Sequence, residues 1–408
     1  MSNIPRLRPS LSEALSVVLP TSEQTLLLRA CLHPDESARA AWEEWQRRRN
    51  GPIRDNASIR KVRPLVFNAL RSHGLKLDRE SQTYLRSAYL QEELRSYIFR
   101  RIFRDVLLSL ASAGIPTIVL KGAALAETVY GNPSLRHCHD IDLLIKEQDL
   151  RRATGLLSPL GFKKRDEPDS EESKMDHDSA LPLELHTRLF EIPYYTAPLA
   201  EMWERSEKRI VAGVEAQILS PADNLLHVCG HAFYSAKRKS LRWVCDAWLI
   251  IDQHRDPNWD LLFDCARRSH LTLPLSVTLG YLAKELDAPI PPTFLNRLFG
   301  AAAKSSVIEK DLALWAARTA SEDGPVTFLR KIKDWRVKAL LIQWMLFPSP
   351  AYLAWVEQVR CSWLLPLHYV YRPLRYAWHR SYFKFFALGQ RLKWRIQRLF
   401  PHIHFRTP

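Results

Sequence analysis

The sequence predicts an α+β chain: a small mixed β-sheet core with its own helices, flanked by helical regions on both sides. Three observations carry this. Apolar residues recur at helical spacing before residue 114, short β-branched or alternating runs interleave with short helices between residues 115 and 190, and helical spacing returns from about residue 221. The expected parts are an N-terminal helical region (1–113), an α/β core (114–215), a helical domain (216–360) and a C-terminal segment (361–408). With 408 residues, 46% of them hydrophobic, the chain has ample material for a core.

In the first region, residues 21–32 are apolar-periodic, with Ser22 as a cap and Glu23 behind it; His33-Pro34-Asp35 ends the run. Helices are expected over 36–49, closed by Asn50-Gly51-Pro52, and over 62–70. From 91 to 113, Leu94, Ile98, Ile102, Phe103, Val106, Leu107 and Leu110 mark one more helix. Gly114-Ile115-Pro116 stops it, and the β-branched run 117–120 reads as a strand. A helix starts at Lys121-Gly122-Ala123 and runs to about Val129, followed by the turn Tyr130-Gly131-Asn132-Pro133. A strand over 140–145, a helix over 149–157 and a strand from Gly161 follow. Residues 166–179 are acidic and polar and read as a loop, after which Leu183-Glu184-Leu185-His186-Thr187 alternates as a strand. Helices are clearest over 222–236, 240–252 and 259–268.

Charge is unevenly distributed. The net formal charge is +15, and residues 361–408 hold nine Lys or Arg and no Asp or Glu. Such asymmetry bears on partners rather than on fold. No long apolar run follows Met1, so no secretory signal is expected. Six scattered cysteines without a CxxC pair fit free thiols in a reducing, cytoplasmic setting. The longest uncharged run, 339–356, contains Pro348 and Pro350, so a buried helix and a turn are expected there and no transmembrane span.

The chemistry concentrates in HCHDIDLLI, residues 137–145. Asp140 and Asp142 are two apart, so a strand places both on one face while Ile141 and Leu143 enter the core. Paired carboxylates repel unless a cation lies between them, and Mg2+ suits oxygen ligands. Glu184, between Leu183 and Leu185, is a third carboxylate that a neighbouring strand brings alongside; three carboxylates can hold two metal ions. Upstream, Gly122 at a strand–helix junction lets backbone approach a phosphate, the helix N-terminus offers N–H groups, and Lys121 neutralises charge.

The stretch LKGAALAETVYGNPSLRHCHDIDLLI resembles the uncharacterised nucleotidyltransferase family, a bacterial branch of the superfamily related to DNA polymerase beta. The matching outline is a K-G-x-x-L helix start, a Tyr130-x-x-Pro133-x-x-Arg136 connector, the strand Asp140–Leu144 and the strand Leu183–His186. It continues through Pro221–His227, His231 and Leu241–Asp246; the resemblance spans roughly residues 20–265, with 117–250 the specific part. Where the superfamily has Gly or Ser after the first Gly, this chain has Ala123. The resemblance implies metal-dependent transfer of a nucleoside monophosphate from an NTP, with ATP the expected donor, to an unknown acceptor. Asp140, Asp142 and Glu184 would bind two Mg2+ ions and carry catalysis. Lys121, Gly122, Ala123, Arg136, His186, Arg242 and Asp246 would contact the nucleotide.

Several residues keep two readings. Arg136 is a phosphate contact or half of a structural ion pair, and His186 faces the site or solvent. His137, Cys138 and His139 invite zinc, but adjacent strand residues point opposite ways. Asp223, His227 and His231 form a metal site or a hydrogen-bonded helix interface. Arg242 and Asp246, four apart, are an intrahelical ion pair or nucleotide contacts. The segment 371–400 interleaves aromatic and basic residues. It packs on its own domain, lies on an anionic membrane at the inner face, or grips nucleic acid through Trp378 or Trp394. Two rival functions follow: a non-catalytic membrane- or peptide-binding accessory protein with a vestigial site, and an RNA- or protein-modifying, toxin-like nucleotidyltransferase.

Overall fold

The structure is a computed structural model that describes residues 15–33, 36–49, 53, 59–165, 173–190, 194–234, 241–318, 335–347, 350, 353 and 365–371. The basic aromatic segment lies outside these residues beyond Tyr371. Two compact units are present, Met1–Lys338 and Ala339–Pro408.

The first unit begins with α1 (Ser22–Leu32), α2 (Glu36–Arg48), α3 (Arg63–Ser72) and α4 (Arg79–Ser112). Thr21 rather than Ser22 caps α1, through a capping box with Gln24. The last helix is longer than the periodicity of 91–113 alone predicts. Asp78 caps it by accepting from the Ser81 amide, more than three turns before residue 91.

The sheet follows. It comprises β1 (Thr117–Val119), β2 (Ile141–Ile145), β3 (Phe162–Lys164), β4 (Ser173–His177), β5 (Pro182–His186), β6 (Glu207–Val211) and β7 (Val214–Ile218), with α5 (Lys121–Thr128) after β1, α6 (Leu150–Leu157) after β2 and α7 (Leu199–Glu204) before β6. The order is β3-β4-β5-β2-β1-β7-β6, and the sheet is mixed: β2 pairs parallel with β5 and antiparallel with β1. β2 is buried at all five positions, as a central strand covered on both faces must be.

Two expectations change here. The acidic 166–179 stretch is not wholly a loop, since its end forms β4, and Lys174 pairs across to Glu184. A hairpin, β6–β7, occupies residues 207–218 and closes the other side of the sheet through the turn Ala212-Gly213, both at positive φ.

Behind the sheet come α8 (Pro221–Tyr234), α9 (Arg242–Gln253), α10 (Trp259–Arg268), α11 (Thr272–Glu285), α12 (Pro292–Ala303) and α13 (Val307–Arg318). The N-terminal helices pack on these late helices. Thr25 bonds Tyr281 at 2.8 Å, Arg29 donates to the Glu285 carbonyl and pairs with Asp287, and His33 and Trp248 both meet the Leu286 carbonyl. The uncharged run of 339–356 begins inside α14 (Trp335–Leu346). Among the described residues no helix is long and apolar enough to cross a membrane.

Candidate active site

β2 and β5 run side by side in register, with Asp142 opposite Glu184 and Leu144 opposite His186. Because residues two apart share a face, Asp142, Glu184 and His186 converge. Their ligand atoms lie within 4.8 Å of one another. His186 Nε2 meets Asp142 Oδ1 at 2.8 Å and lies 3.8 Å from Glu184 Oε2. Lys174 Nζ on β4 lies 3.8 Å from the other Glu184 oxygen. His186 is thus a buried member of the carboxylate cluster, not a solvent-facing residue.

Asp140 sits one residue before β2, less buried than Asp142, with His139 Nε2 at 3.1 Å. The two aspartates are driven apart in proton affinity. Burial and the Asp142 charge push the Asp140 carboxyl above its ordinary value. At Asp142 burial acts the same way, but the Lys121 ammonium and the His186 hydrogen bond and charge outweigh it, so that carboxyl is held well below the usual range.

Lys121 is placed by the backbone. The Leu120 amide donates to the Asp142 carbonyl, which ties the start of α5 to the centre of β2. Lys121 then adopts φ +40, a conformation that non-glycine residues rarely take and that collects at functional sites.

Gly122 answers to a neighbour, which gives its missing side chain a reason besides the approach of a phosphate. A Cβ there would collide with Arg136 Nη1 and stand 3.4 Å from Cys138 Sγ. Arg136 is an ion-pair partner rather than a surface group: Nε and Nη2 reach the two Asp246 oxygens at 2.9 and 2.7 Å, all buried. Tyr130 donates to the same carboxylate at 2.7 Å. The Tyr-x-x-Pro-x-x-Arg connector therefore converges on one buried carboxylate of α9. Burial opposes charge on Arg136, and Asp246 more than offsets it.

Asp246 does not pair with Arg242, as four-residue spacing predicts. Arg242 Nη1 instead donates to the His137 carbonyl at 3.1 Å and meets His139 Nδ1 at 3.2 Å, bracing the segment that delivers Asp140. Zinc at 137–139 is not supported. His137 turns to Glu92 at 2.7 Å, while Cys138 is buried against Arg136, and these residues do not converge on one point.

His227 fits neither a metal site nor a hydrogen-bonded stripe with Asp223. Asp223 is engaged by Arg205 and Ser220, and neither ring nitrogen of His227 has a hydrogen-bond partner although the residue is 1% exposed. Its ring stands edge-on to Phe190 and His231. Burial, then the charges of Lys121, His231 and His186, hold its pKa well below the ordinary 6.5. Burial, then Arg242, likewise holds His139 down, to about 3. Both histidines stay neutral in the fold and gain a proton on unfolding, so their stabilisation is complete above pH 6.5 and is lost as pH falls below it. Melting temperature is expected to drop from pH 7 to pH 4, with about 1.4 kcal/mol lost per pH unit for each fully buried neutral histidine. His227→Leu is expected to flatten that slope; an unchanged slope would remove His227 from the acid response.

The donor set of carboxylate oxygens with one imidazole fits a divalent cation, and the mutual repulsion of Asp140 and Asp142 is relieved by one. The sequence model of a family described as uncharacterised nucleotidyltransferase matches residues 55–287, more than half of the chain. Neither a curated protein nor a solved structure matches. By that match, over a span that contains every carboxylate of the site, the chain belongs to the uncharacterised nucleotidyltransferase family.

Proposed function

We propose that the protein transfers a nucleoside monophosphate from an NTP, with ATP as donor, to an acceptor nucleophile in a Mg2+-dependent reaction. The observation that carries this reading is the in-register pair Asp142 and Glu184 on parallel strands, with Asp140 at the mouth of the same strand and Lys121 beside them. Asp140, Asp142 and Glu184 would hold Mg2+, in a two-ion arrangement. When bound it would offset charge on the transferred phosphoryl and lower the acceptor's pKa. His186 orients Asp142 through its 2.8 Å hydrogen bond. Lys121 adds positive charge where the phosphates enter, and the first amides of α5, at Gly122 and Ala123, face an anion with the positive end of the helix. Arg136 and Asp246 act at one remove, by fixing the connector beneath that helix start, and Arg242 by fixing 137–139.

Isothermal titration with each of the four NTPs, with and without Mg2+, tests the reading. Wild type is expected to bind ATP only with Mg2+, and Asp140→Asn/Asp142→Asn to lose that binding while melting as a folded protein. Absence of binding by any NTP to folded wild type would overturn it.

A further inference from the structure

A cavity of about 370 Å3 opens between the start of α3 and the first half of α4, lined by Arg60, Lys61, Arg63, Arg95, Glu92 and His137 among others. Its volume falls within the range of about 300–1,000 Å3 usual for small-molecule sites. Two other cavities among the described residues are smaller, about 10 Å3 beside Arg136 and about 50 Å3 beside Asn224. The lining of the large cavity holds four cationic side chains and one carboxylate. A cleft lined by one sign of charge concentrates ligands of the opposite sign.

The cationic lining is partly organised. Arg95 Nη1 reaches Glu92 at 3.0 Å and His137 at 3.3 Å, and Glu92 holds His137 at 2.7 Å, so the only carboxylate of the lining is taken up within the wall. Arg63 is stacked on and bonded to Tyr84. Arg60 is exposed at the rim. One residue links the cavity's lining to the carboxylates: the rings of His137 and His139 are parallel with centroids 6.0 Å apart, and His139 Nε2 lies 3.1 Å from Asp140.

Resting on the nucleotidyl-transfer reading, we infer that this cavity is the acceptor's site and that the acceptor carries a phosphate-type anionic group, held by Arg60, Lys61, Arg63 and Arg95. The donor's triphosphate has its own provision in Lys121, the α5 amides and the metal carboxylates. A second cationic pocket beside Asp140 then serves the other substrate. An anion anchored there leaves the remainder of the acceptor free to present a nucleophile past His137 and His139 to the carboxylates.

The test titrates inorganic phosphate into full-length protein in EDTA at low salt, so that no metal links phosphate to Asp142. Wild type is expected to bind phosphate, and Arg60→Glu/Lys61→Glu to bind it at least about tenfold more weakly. The same variant is expected to keep its MgATP affinity within about twofold, and saturating phosphate to leave wild-type MgATP affinity unchanged. If the double variant does not fold, Arg60→Glu alone, at an exposed position, gives the same comparison. Phosphate binding that the charge reversal leaves untouched, or that is absent in protein that binds MgATP, overturns the cavity assignment. A parallel loss of MgATP affinity, or competition between phosphate and MgATP, gives the cavity to the donor's triphosphate and overturns the acceptor assignment. Wild type that binds phosphate but no NTP overturns the nucleotidyl-transfer reading, and the acceptor role with it.

Discussion

Arg136→Ala is expected to cost about 3–5 kcal/mol of stability, because it strands the Asp246 carboxylate in the core. For a chain of this size that corresponds to a melting temperature lower by roughly 4–6 °C. The penalty arises from asymmetry. Asp246 accepts from Nε and Nη2 of Arg136 and from Tyr130, so two of its three donors leave together while its burial stays. Arg136→Ala also opens space against Gly122, whose absent Cβ exists to admit the guanidinium. Asp246→Ala is expected to be equally harmful, since it leaves a buried guanidinium without its anion. Arg136→Met combined with Asp246→Leu is expected to recover much of the loss, as apolar replacement of both partners does in buried pairs. Thermal melts of the three variants decide it: a double variant no better than either single one would show that the pair's geometry, not its charge, supports the connector.

Asp142→Asn is expected to abolish most of the transfer activity, by about 10³-fold or more, with the fold retained. Asparagine keeps the shape and the hydrogen-bonding partner of His186 but removes the charge to which the site is tuned. That charge is maintained against burial by Lys121 and His186, while Asp140 is pushed the other way. Glu184→Gln is expected to act in the same direction, and also to release Lys174 across β4. His186→Ala is expected to be milder, about 10–100-fold, as for residues that orient a ligand rather than supply one. Rates measured with the donor identified by titration check the order. Activity in Asp142→Asn within tenfold of wild type would take the carboxylate out of the reaction.

Much of this site was legible in the sequence because it is local. Apolar residues around Asp142 and Glu184 announce buried strands, and a carboxylate within such a strand stands out. Period-two alternation also placed His186 on the face of Glu184. What escaped was contact between distant parts of the chain. Arg136 and Asp246 are 110 residues apart, and the four-residue spacing to Arg242 offered a nearer partner that the structure declines. The close approach of Arg136 to Gly122, 14 residues back, has no signal in the spacing either. β4 escaped because its sequence, Ser-Lys-Met-Asp-His, holds a single apolar residue, the buried Met175. The β6–β7 hairpin did carry a signal, Ala212-Gly213 between two alternating runs, but Ile210 faces solvent and blurs the alternation. The orphaned ring of His227 has no sequence signature at all, since spacing describes neighbours on its own helix and not what that helix is pressed against.

The embrace of α1 by residues 281–287 sets a timetable for synthesis. Thr25 and its partner Tyr281 are 256 residues apart, and Arg29 and His33 also wait on Glu285, Leu286 and Asp287. A ribosome adding about 5–20 residues per second leaves the first helix without these late contacts for roughly 10–50 s. During that interval the apolar side chains of Leu27, Leu28 and Leu32 have nothing native to bury against in the late helices. Helix α1 is therefore made long before the residues that complete its contacts.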